Sequence, residues 1–95
     1  MFSFAPFIPL VLATSGPNVI VAEDGWFDVV IIYDDKSVRG HANAQIALMR
    51  AAKKYCGKKS HAVSEGKLTL NDAPPLRGNR PSLELIERYR CLPKE

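Results

Sequence analysis

A chain of 95 residues with 13 basic and 10 acidic side chains carries a formal net charge of +3. Its apolar share of 46% and charged share of 24% are globular values, which excludes wholesale disorder, and its length excludes more than one domain. So small a core gains from a staple or a partner, and the mild positive charge permits weak attraction to anionic surfaces without requiring it.

The opening MFSFAPFIPLVLATSG, residues 1–15 and Gly16, has no charge and ends in small residues, with Ala13 and Ser15 placed for a signal peptidase cutting before Gly16. Residues 1–15 are therefore read as a signal peptide or as an apolar N-terminal arm. Membrane contact is expected only through this stretch, if it is uncleaved, because its run falls short of the roughly 20 residues a span needs. Residues 16–95 form the single domain.

Two extended runs follow, Val19–Ala22 and Phe27–Tyr33, and the Asp24-Gly25 pair between them is a hairpin signal. Val29, Val30, Ile31 and Ile32 are consecutively apolar, which predicts a strand covered on both faces or central in its sheet. In GHANAQIALMRAAKKYCG the residues Ala44, Ala47, Leu48, Ala51, Ala52 and Tyr55 make one helical stripe. Lys53 and Lys54 suit the negative end of that helix, and Gly57 suits its closure. HAVSEGKLTL, residues 61–70, alternates as a strand with a bulge at Gly66, and residues 71–81 read as a loop from their prolines and glycine. SLELIERYRC places Leu83, Leu85, Tyr89 and Cys91 on one face of a last strand, although its residues are also good helix formers behind a Ser82 cap. The strand is the preferred reading. The resulting fold class is α+β, with one alanine-rich helix on a small antiparallel sheet in the order β-β-α-β-β.

The motif KKYCGKK raises three readings for Cys56. As a nucleophile it lies at the wrong end of the helix, where the dipole disfavours a thiolate. As a zinc ligand with His41, His61 and Cys91 it lacks paired ligand spacing. The third reading, which the sequence favours over two buried free thiols, is a disulfide with Cys91 that staples the helix end to the last strand.

Asp34, Asp35 and His41 lack the regular oxygen spacing of a calcium loop, so no metal and no cofactor is expected. The basic cluster Arg50, Lys53, Lys54, Lys58 and Lys59, with Arg77 and Arg80 in the loop, is suited to contact phosphates or an acidic protein. It matches no groove-reading motif, which makes nucleic acid the lesser expectation. Trp26, beside the Asp-Gly turn, is a candidate anchor for a protein partner. With no phosphate loop, no paired carboxylates and no Ser-His-Asp arrangement, the chain is expected not to be an enzyme.

DGWFDVVIIYDD, AQIALMRAAKKYCG and RYRC resemble, in order and spacing, the small exported bacterial lipoproteins of the YecR-like type. The resemblance implies an exported, periplasmic or secreted location and the pairing of Cys56 with Cys91. The cysteine that carries the lipid in that family has no counterpart in LATSGPN, and the resemblance implies no activity. The function expected is that of a non-enzymatic exported cell-envelope protein acting by protein-protein binding, as an accessory component of a surface assembly. The alternative is a small intracellular or phage-type module whose basic helix face binds nucleic acid or an acidic protein.

Overall fold

In the computed structural model, residues 14–94 are described. They form β1 (Thr14–Val21), β2 (Trp26–Tyr33), α1 (Val38–Cys56), β3 (Ser60–Ala73) and β4 (Ser82–Pro93). The strands make one four-stranded sheet of order β1-β2-β4-β3, and every neighbouring pair is antiparallel. The expected α+β class and β-β-α-β-β order are those observed. Residues 1–13 of the expected signal or arm lie outside the described residues, and Thr14 and Ser15 belong to β1.

β2 alternates strictly along its length. Phe27, Val29, Ile31 and Tyr33 are buried, while Trp26, Asp28, Val30 and Ile32 are half-buried. The strand is thus central, as one of the two expectations had it, with the helix on one face only. The buried set meets Ala44, Leu48 and Ala52 of α1 and Leu85 and Tyr89 of β4, which together form the core. The alanines bring the helix axis close to the sheet, so Leu48 alone fills the space between them as a large buried helix residue. Tyr55, 50% exposed, lays its ring 4.5 Å from that of Phe27 and closes the lower edge of the core.

β4 is a strand despite its helix-forming residues, because it pairs along its length with β2 on one side and β3 on the other. Two ladders of backbone hydrogen bonds, with Leu85 and Tyr89 sunk into the core, outweigh a propensity difference of a few tenths of a kcal/mol per residue. β3 runs on through Asn71, Asp72 and Ala73, which the sequence places in a loop; their partners on β4 are Glu84, Leu83 and Ser82. The β3 register slips between Ser64 and Leu68, around the expected bulge at Gly66, whose φ is 92°.

The helix starts earlier than the motif suggested. Ser37 is the N-cap, its Oγ accepting from the Gly40 N–H at 3.1 Å, and Asp35 Oδ1 accepts in turn from the Ser37 N–H and hydroxyl. These two bonds hold the Asp35 carboxyl below the usual range. Gly40 is buried where the Asp35 backbone folds over the first turn, so a Cβ there would stand 2.0 Å from the Asp35 carbonyl oxygen. Gly40→Ala, which helix propensity alone would favour by about 1 kcal/mol, is therefore expected to destabilise by at least 2 kcal/mol. Urea unfolding checks this; a variant as stable as the parent would contradict the close approach.

Candidate functional site

α1 runs antiparallel to β2, so the end of α1, the start of β3 and the end of β4 meet at one end of the molecule. There Cys56 and Cys91 form a disulfide with a Cα–Cα distance of 5.4 Å. The thiolate and zinc readings of Cys56 fall with that bond. His41 lies at the opposite end of α1 and meets the Tyr33 hydroxyl through Nδ1 at 2.6 Å. No cluster of three or more His, Cys, Asp or Glu able to hold a metal occurs among the described residues.

The disulfide end gathers positive charge. Lys53 and Lys54 of α1, Lys58 of the turn and Lys94 beyond β4 line a concavity of about 760 Å³ together with Gly57, Ser60, His61 and Ala62. Pairing of Ser60 with Pro93 and a hydrogen bond from the Lys94 N–H to the Lys59 carbonyl, 3.0 Å, fold the chain after β4 against the turn. Of the predicted basic residues, Lys53, Lys54 and Lys58 converge here, while Arg50 and Lys59 are exposed and do not line the concavity. Lys94 and His61 join only through the β3–β4 register, which no local sequence signal marks.

Trp26 sits at the same end of the sheet on the opposite face. Its ring is covered by the Arg90 guanidinium, 4.5 Å from the centroid, and Arg90 also donates to the Asp24 carbonyl at 3.3 Å. Beyond Asp28 and Arg88 an apolar patch lies on the face that α1 does not cover. Val30 and Ile86 are directly paired and half-buried, Ile32 lies two residues beyond Val30, and Ile20 on β1 is 55% exposed. One polar pair separates Trp26 from this patch, and a second flanks Ile32. Arg88 grips Asp28 through two bonds, 2.7 and 3.1 Å, and Asn71 donates to Glu84 at 3.2 Å. Tryptophan and arginine are residue types enriched at protein interfaces.

A third depression, about 270 Å³, lies on the helix side between Tyr33, His41, Gln45, Leu68, Leu70 and Leu85. α1 leaves this part of β3 uncovered, so Leu68 and Leu70 are 43% and 52% exposed.

Titratable groups near these surfaces serve structure. Burial raises the pKa of Tyr33. Burial and then the bond to Glu87 raise that of Tyr89 well above the ordinary phenol, so both phenols stay protonated and Tyr89 donates to Glu87. Asp34 is buried, its Oδ2 accepting from Arg77 Nε at 3.0 Å, while its Oδ1 has no hydrogen-bond partner. Asp34, Asp35 and His41 thus face three different partners and do not converge on a cation.

Comparison with known proteins returns no matching family model, no curated relative and no similar solved structure. No helix of the described residues is long and apolar enough to cross a membrane.

Proposed function

We propose that this chain is a non-enzymatic, exported cell-envelope protein that acts by binding another protein, as an accessory component of a surface assembly. The observation that carries the binding role is the uncovered sheet face. Val30, Ile32 and Ile86 lie side by side on the central strands, with Trp26 on the same face beyond the Asp28–Arg88 ion pair, and no second layer covers them among the described residues. A face built on β2 and β4 is preorganised, so docking costs little ordering entropy. The disulfide supports the location, since such bonds persist in oxidising compartments.

The test places a photocrosslinking amino acid at Ile86, and separately at Ile46 on the exposed side of α1, in the native host. A discrete crosslinked protein at Ile86, lost when Trp26→Ala is added and absent at Ile46, is the expected result. Equal labelling at both positions, or labelling indifferent to Trp26→Ala, would overturn the sheet face as the binding surface.

A further inference from the structure

The concavity at the α1–β3 turn stands apart from the sheet face and has a chemistry of its own. Lys53, Lys54, Lys58 and Lys94 line it, and no carboxylate does among the described residues. The end of a helix carries about half a negative charge, so the four ammonium groups outweigh the dipole and leave a strongly positive hollow. Gly57, whose N–H donates to the Lys53 carbonyl at 3.0 Å, answers one of the helix's terminal acceptors within the chain itself.

The walls are held in place. The Cys56–Cys91 bond ties the end of α1 to β4, the Ser60–Pro93 pair ties the start of β3 to the end of β4, and the Lys94 N–H is bound to the turn. Like charges that would separate on a free chain are thus kept facing one hollow. Among the described residues the lining contains no aromatic ring, on which a base would stack. Lysines are compact point charges with rotatable donors, and they bind phosphate as point charges. The volume of about 760 Å³ admits more than one phosphate group.

We propose that this concavity is a binding site for clustered phosphate groups, carried either by a free polyphosphate or by a diphosphorylated lipid headgroup. One phosphate engages too few of the exposed lysines to offset the freedom they lose, whereas a chain of phosphates engages several at once. The dependence on phosphate number is therefore steep.

The experiment titrates the full chain with inorganic tripolyphosphate and with orthophosphate, followed by calorimetry and by amide NMR shifts. In a second arm it adds phosphatidylcholine vesicles with and without a diphosphorylated lipid. Tripolyphosphate, or the diphosphorylated vesicles, is expected to bind saturably, with shifts centred on Gly57, Ser60 and His61, and the arm that responds names the source. Affinity for tripolyphosphate is expected to exceed that for orthophosphate at least about tenfold, equivalent to about 1.4 kcal/mol.

Lys53→Gln/Lys58→Gln is expected to weaken binding at least about tenfold, while Lys36→Gln/Lys67→Gln, with the same loss of net charge away from the hollow, leaves it unchanged. Equal weakening by the two double variants, tighter binding to duplex DNA or to a polyglutamate peptide than to clustered phosphate, or no saturation in either arm would overturn the proposal. None of these outcomes bears on the sheet face, whose crosslinking stands or falls by itself.

Discussion

Reduction of the Cys56–Cys91 disulfide, or its replacement in Cys56→Ser/Cys91→Ser, is expected to lower the melting temperature by about 20 °C. The bond spans a sequence separation of 35 residues, and closing a loop of that size restricts the unfolded chain by about 4 kcal/mol. A domain of this size has a total stability on the order of 5–10 kcal/mol, so the loss takes a large share of it. The position of the bond enlarges the effect. α1 meets the sheet largely through alanine side chains, and the disulfide fixes its C-terminal turn against β4 beside the half-exposed Tyr55. A scan with and without reductant measures this, and a shift of only a few degrees would show that the core holds the helix unaided.

Leu48→Ala is expected to cost about 4 kcal/mol, near the top of the range for buried leucines. Leu48 is 0% exposed, and its neighbours along the buried helix stripe are Ala44 and Ala52. Methyl groups on a fixed backbone cannot move in to fill the void. Across from them Val29 and Phe27 belong to the central strand β2, which is held by β1 and β4 on its two edges. Ile46→Ala, at a position 44% exposed, is expected to cost less than about 1 kcal/mol. Urea midpoints at unchanged m-value give both numbers, and equal costs would contradict the assignment of Leu48 to the core.

What the sequence makes legible here follows from which forces are local. Val29–Ile32 announce a central strand, and the alanine stripe ending at Gly57 announces one helix, because each carries its period within its own residues. The Cys56–Cys91 bond was legible because the helix end and the strand end each carry one cysteine. β4 was ambiguous since Glu84, Leu85, Ile86 and Glu87 suit a helix, and only the ladders from β2 and β3 decide.

The extension of β3 through Ala73 is likewise invisible before its partners on β4 are known. The same holds for the surfaces. Lys53, Lys54 and Lys58 are visible as a run, but Lys94 and His61 reach the concavity only through strand register. The apolar residues Val30 and Ile32 fit a strand covered on both faces or central in its sheet; β2 is central, and among the described residues one of its faces is uncovered. That open apolar face motivates the binding role.

The reading of an exported, disulfide-held binding domain is tested most directly by trapping the protein's thiols in native cells with an alkylating reagent, followed by intact mass. Cys56 and Cys91 are expected to take up no reagent until a reductant is added, in protein recovered from the oxidising compartment. Alkylation of both cysteines without reductant, on a chain that still carries residue 1, would contradict it.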